Sequence, residues 1–153
     1  VKKLSLLLLA ALALGGCKKN DDTTPTPAAP SKTDLLTAKK WRVSTVTATL
    51  GGATLPGVIE ACSQDDFLKF NADKALVHDA GATKCDPSDP QTEQGKWEMP
   101  SESKLTVTLP ASSNLPADGT FDIKELSATN LHLYMSDTQS GVTSTLDLTF
   151  TAL

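Results

Sequence analysis

The 153-residue chain is poor in aromatic side chains, with four Phe, two Trp and one Tyr, and it holds one arginine, Arg42. So few aromatics leave little material for a strong protein-binding hot spot. Four of the 14 Lys plus Arg and two of the 18 Asp plus Glu precede Ser31, leaving ten cations against sixteen anions beyond it. Binding a phosphate backbone needs clustered cations, so no nucleic-acid partner is expected. A Gly-x-Ser-x-Gly nucleophile elbow is absent. Asp86 and Asp89 offer oxygens, but the glycine turn and distal glutamate of a calcium loop are missing. His78, the one histidine near Cys62 and Cys85, does not complete a zinc set. His132 alternates with Leu131 and Leu133, which puts it on a wet outer face, and a solvated histidine outweighs a general base at either histidine. The pair Asp65 and Asp66 stands just before a strand, where carboxylates end a loop or pair with a lysine. No catalytic residue, metal or cofactor is expected, and an enzyme ranks below a binding protein.

Nor does any apolar run reach the length of about 20 residues that crosses a bilayer. Leu4 to Leu14 is shorter, follows Lys2 and Lys3, and ends in Gly15, Gly16 and Cys17. Such a run fits the apolar region of a secretory signal peptide. Its end resembles the lipobox of bacterial lipoproteins. That resemblance implies that residues 1–16 are a signal peptide, that Cys17 is acylated and becomes the mature N-terminus, and that the protein is anchored in the outer membrane, on its periplasmic face or at the cell surface. Several acyl chains hold a protein stably where one does not. Residues 17–31 then form a tether of Lys, Asn, Asp, Thr, Pro and Ala with no apolar periodicity, able to place a domain about 40 Å from the bilayer. Lys18, Lys19, Asn20, Asp21 and Asp22 resemble the export tag of Bacteroidetes surface lipoproteins; a plain charged spacer has the same composition.

Residues 32–153 are enough for one domain with a single core. Period-two alternation dominates, read against loops rich in Gly, Pro, Ser and Asp. A short helix is expected at Asp34 to Lys39, capped by Ser31 or Thr33. Eight strands follow: Trp41 to Leu50, Phe67 to Asn71, Ala75 to Asp79, Gln94 to Met99, Lys104 to Leu109, Thr120 to Leu126, Asn130 to Ser136 and Ser144 to Ala152. Apolar residues stand two apart in Leu105, Val107 and Leu109, in Phe121 and Ile123, in Leu131, Leu133 and Met135, and in Leu146, Leu148 and Phe150. One face of each strand is therefore dry and the other wet. The pattern predicts an all-β, eight-stranded antiparallel up-and-down barrel with a short N-terminal helix, and a β-sandwich satisfies the same alternation.

Lys39-Lys40-Trp41 at the first strand, Cys62, the run Asp65-Asp66-Phe67-Leu68-Lys69-Phe70-Asn71-Ala72-Asp73, Cys85, Gly95-Lys96-Trp97 and Ile123-Lys124-Glu125-Leu126-Ser127 follow one another in an order that resembles the lipocalin-like lipoproteins of Bacteroidetes. The resemblance spans Asp34 to Leu153 and implies a barrel with an apolar ligand cavity. One departure stands out. Lipocalins commonly carry glycine two residues before the first-strand tryptophan, and that place is Lys39 here; Gly-x-Trp is intact only at Gly95 to Trp97. The barrel-closing role is thus not assigned to Trp41 by the motif.

With Cys17 lipidated, Cys62 and Cys85 remain, and in an oxidising compartment they are expected to form a disulfide. It would close a loop around the first hairpin and stabilise the fold by about 3 kcal/mol in the chain-entropy model. Candidate ligand-contacting residues of the barrel interior are Trp41, Val43, Phe70, Trp97, Val107, Phe121, Ile123, Leu133 and Leu148. They are mostly apolar and moderate in size, which favours a small hydrophobic ligand over a sugar. Strands of about six residues span roughly 20 Å and leave little free volume. The alternative is an envelope interaction module with a packed core and no ligand, presenting to a protein partner the connections Gly51 to Asp66, Gly81 to Glu93 and Pro110 to Gly119.

Replacing Cys17 with Ala is expected to release the protein from membranes; persistence of the variant in carbonate-washed membranes would refute the anchor.

Overall fold

The structure, a computed structural model, describes residues 28–109 and 118–153. The signal segment 1–16, Cys17, the tag residues and most of both the tether and the Pro110 to Gly119 connection lie outside the described residues.

Helix α1 spans Lys32–Ala38. It begins two residues before the expected start because Ser31 is the N-cap. The Ser31 hydroxyl accepts from the Asp34 amide at 3.1 Å, and the Asp34 carboxylate accepts from the Ser31 amide at 3.0 Å. This reciprocal pair satisfies two of the free donors at the helix start. Lys39 is already extended, so the helix stops short of it, and Leu36 is the side chain that α1 buries.

Among the described residues nine strands follow: β1 Lys40–Leu50, β2 Ala53–Pro56, β3 Phe67–Phe70, β4 Ala75–Asp79, β5 Thr92–Ser101, β6 Lys104–Thr108, β7 Gly119–Leu126, β8 Asn130–Gln139 and β9 Val142–Ala152. Each pairs antiparallel with its neighbours. The order β1-β3-β4-β5-β6-β7-β8-β9 returns to β1 through the β1–β9 pairing. Eight strands therefore close into a barrel, and the sandwich alternative falls because no edge separates two sheets.

The ninth strand corrects the expected loop from Gly51 to Asp66. Leu50 pairs with Ala53 across Gly51 and Gly52, whose φ angles are +56° and +87°. Two consecutive residues at positive φ make the two-residue turn whose twist matches a hairpin. β2 extends from the far end of β1 and, among the described residues, pairs with no other strand. Strand lengths also exceed the expected six or so: β1 and β9 have 11 residues, and β5 and β8 have 10. In β8 and β9 the residues beyond the expected bounds, Asp137 to Gln139 and Val142 to Thr143, carry no apolar alternation, yet they pair as far as Gln139 with Val142.

Alternation correctly assigns the dry face. Leu105 and Val107, Phe121 and Ile123, Leu131 and Leu133, and Leu148 and Phe150 are all buried in one core with Phe70, Leu76 and Trp97. The Trp97 indole donates to the Asn71 carbonyl at 3.0 Å and meets the Phe70 ring edge-on, with centroids 5.7 Å apart. Trp41 is fully buried and donates to the Leu36 carbonyl at 2.8 Å, which ties α1 to the barrel.

The glycine of Gly95-Lys96-Trp97 has a packing reason. A methyl group on Gly95 would stand 2.1 Å from the carbonyl oxygen of Thr108, so β5 and β6 approach too closely there for any side chain. Glycine inside a strand is ordinarily the less stable choice than alanine, which makes the sign of a substitution diagnostic. Gly95→Ala is expected to destabilise the domain by about 1–3 kcal/mol, the usual cost of overpacking, read from urea unfolding midpoints. An unchanged or raised midpoint would refute the close approach.

Candidate functional site

β1 serves different neighbours along its length. On the side facing β3 it makes two register pairs, Lys40 with Lys69 and Trp41 with Leu68, and then nothing until β2 pairs with Thr47 to Leu50. Between these pairings the Val46 carbonyl accepts from the Gly57 amide at 2.8 Å. A bulge at Ser44 in the β1–β9 ladder adds one residue between Val43 and Thr45. An added residue shifts the alternation by one. Val43 and Val46 therefore both face inward, although they stand three apart, and both line a cavity of about 510 Å³.

The cavity has an apolar wall of Trp41, Val43, Val46, Phe67 and Leu68. Across from it lie the segment from Val58 to Asp66 and the loop from Ala80 to Pro90. Cys62 and Cys85 are joined as a disulfide, with Cα atoms 5.0 Å apart. The bridge ties those two segments together and encloses the β3–β4 hairpin, as the cysteine count leads one to expect.

The polar side of the cavity was not anticipated. His78 is buried, 9 % exposed, because it alternates with Leu76 on the inner face of β4. Its Nε2 lies 3.2 Å from the Asp66 carboxylate and its Nδ1 lies 3.5 Å from Glu93. The expectation of a solvated histidine therefore fails at His78; the period-two rule applied to Leu76 and His78 would have found it. It holds better at His132, which is part-exposed on the outer face and pairs with Asp147 at 2.9 Å. Asp65 and Asp66 find no lysine. Asp65 Oδ2 accepts from the amides of Ala82 and Thr83, at 2.6 Å and 3.2 Å, and Asp66 turns to His78. Burial holds the Asp66 carboxyl above its ordinary value; the His78 hydrogen bond and charge oppose this, the neighbouring Asp65 charge adds to it, and a weaker hydrogen bond from the Ser63 hydroxyl opposes it.

Chemically, both ring nitrogens of His78 face carboxylates, so neither is aimed at a hydroxyl or thiol to activate it. Glu60, Cys62 and Cys85 bring three ligand atoms close together, but both sulfurs are spent in the disulfide. Asp86 accepts from the Ser88 amide and hydroxyl, at 2.8 Å and 2.7 Å, which makes a local turn.

Of the nine candidate interior residues, Trp41 and Val43 line this cavity. Phe70, Trp97, Val107, Phe121, Ile123, Leu133 and Leu148 are buried in the packed core instead. Sequence reasoning missed Val46, hidden by the bulge, and the cluster of His78, Asp66 and Glu93.

No protein-family model matches this chain, and no curated protein is significantly similar to it. Among solved structures it is similar to the crystal structure of a lipocalin-like protein from Bacteroides uniformis, at 13% identity and a TM-score of 0.42, over 73% of this chain and 96% of that one. The closed barrel described above rests on the strand pairings of this chain and not on that likeness.

A carboxyl whose pKa is raised on folding is more protonated in the folded chain than in the unfolded one between its ordinary value of 3.8 and the raised value. Its contribution to stability therefore falls as pH rises through that window, and at neutral pH it is a cost. In thermal scans from about pH 3 to pH 7, the wild type is expected to lose ground to Asp66→Asn as pH rises, with the variant at least as stable at pH 7. A wild type that gains on the variant with rising pH would refute this.

Proposed function

We propose that the protein is a non-enzymatic binding protein that takes a small, largely apolar molecule into the cavity between β1 and β4, and that acyl groups on Cys17 hold it at the outer membrane. The observation that carries the ligand reading is the cavity of about 510 Å³ with its apolar wall of Trp41, Val43, Val46, Phe67 and Leu68. That volume lies within the roughly 300–1,000 Å³ common to small-molecule sites, and an apolar wall with a few convergent polar groups is their usual make-up. Support for the anchor comes from the pattern that runs from Lys2 to Cys17. The tether of residues 17–31 would stand the barrel off the bilayer.

A second reading, an envelope interaction module, is favoured by one observation. Leu50, Leu55 and Val142 are exposed large apolar side chains at the far ends of the β1–β2 and β8–β9 hairpins, where the Gly51 amide donates to Thr143. β2 adds a strand edge that pairs with β1 alone, and such an edge can accept another chain.

The domain Ser31 to Leu153 contains the helix cap, every strand of the barrel and the disulfide. Purified from its own host, it is expected to carry a stoichiometric small molecule by native mass spectrometry. It is also expected to bind the neutral apolar dye N-phenyl-1-naphthylamine at one site, with Kd of order micromolar or tighter. An empty domain that ignores the probe would refute the carrier and leave the interaction module.

A further inference from the structure

Four carboxylates line the cavity, Glu60, Asp66, Asp89 and Glu93, against one ammonium, Lys84, and one imidazole, His78. Lys84 is turned to the backbone, donating to the carbonyls of Pro87 and Asp89 at 2.8 Å and 2.6 Å. Even with His78 protonated, the lining holds an excess of negative charge. The second oxygen of Asp66, Oδ1, is buried without a hydrogen bond of normal geometry, while Oδ2 is taken by His78 and the Ser63 hydroxyl near the carboxyl favours its charged form. A buried carboxylate oxygen without a donor costs stability. Native structures retain such a group where a ligand completes it.

We infer that the cavity selects a cationic amphiphile, an organic ammonium with an apolar body, whose N–H groups supply the donor that Asp66 lacks while its body lies on Trp41, Val43, Val46, Phe67 and Leu68. The inference rests on the reading of this cavity as a ligand site. A primary ammonium brings three donors and no acceptor, which suits a lining made of acceptors. Its charge offsets the excess carboxylate in a partly desolvated place, where charge-assisted hydrogen bonds are the strong ones. A fatty acid is disfavoured by the same lining, because its carboxylate would enter beside Asp66 and Glu93. A bare metal ion is a poor fit, since Asp66 and Glu93 sit on opposite nitrogens of the His78 ring and share no face of it.

Competition against N-phenyl-1-naphthylamine, a neutral apolar dye, separates this inference from the one beneath it. On the Ser31 to Leu153 domain, decylamine is expected to displace the dye about tenfold or more tightly than decanol, the factor one charge-assisted contact supplies, and decanoate more weakly than either. Asp66→Asn and Glu93→Gln, which keep side-chain shape, should each shrink the amine's advantage about fivefold or more and leave the decanol value in place. The comparison of head groups on the wild-type domain needs no variant to fold. Equal displacement by amine, alcohol and acid would overturn the ammonium inference and leave an apolar carrier. Failure of the domain to bind dye, amine and alcohol alike would overturn both.

Discussion

At Trp41 three neighbours meet on one residue. Its backbone pairs with Leu68 of β3 on one side and Ala152 of β9 on the other, while its indole donates to the Leu36 carbonyl of α1. The last strand reaches the first at the same place, since the Leu153 amide donates to the Lys40 carbonyl at 2.9 Å. Closing the ring there removes the free edges that an open sheet would expose. Closure also commits the rest of β1. Held by β9 along most of its length and by β3 for two residues, the strand must leave β3 once past Trp41.

The cavity follows from that departure. β3 and β4 have four and five residues, whereas β1 and β9 have 11. A wall of short strands beside long ones leaves an opening that no strand fills. Irregular chain covers it, the segments around Val58 to Asp66 and Ala80 to Pro90, held to each other by Cys62 and Cys85. The rest of the same core, from Leu105 to Phe150, is packed with buried aliphatic and aromatic side chains, and none of those residues lines the cavity.

The dry face of β6 to β9 was legible because Leu105, Phe121, Leu131 and Leu148 alternate cleanly with polar residues. The disulfide was legible because, with Cys17 read as the residue of a lipobox, Cys62 and Cys85 are left as a pair. Two kinds of feature were not read. Local exceptions to the period, the Ser44 bulge and the positive-φ pair Gly51 and Gly52, shifted Val46 inward and turned an expected loop into β2. A bulge is set by pairing with a distant strand, so no window of local sequence contains it, whereas the two glycines do signal a hairpin turn. The polar cluster was missed for a different reason. Asp66 precedes β3 while His78 and Glu93 stand on β4 and β5, and the β3–β4 and β4–β5 registers bring the three together.

Those registers also explain how a costly cluster can persist. Leu68 pairs with His78 and His78 with Glu93, so the ladder fixes the imidazole beside Glu93, and Asp66, the residue just ahead of β3, reaches the other ring nitrogen. The disulfide encloses the hairpin that carries Asp66 and His78, anchoring it at Cys62 and Cys85 on either side. Carboxylates on free loops would swing into water and recover their solvation. Held between the bridge at Cys62 and the start of β3, Asp66 keeps Oδ1 buried without a hydrogen bond of normal geometry. The resulting cost falls on a domain whose stability comes from one continuous core, which includes Trp41 and Leu68 of the cavity wall, and from the closed ring. The rigid part of the barrel therefore sustains an unsatisfied acceptor at its cavity, already in place for a donor that arrives from outside.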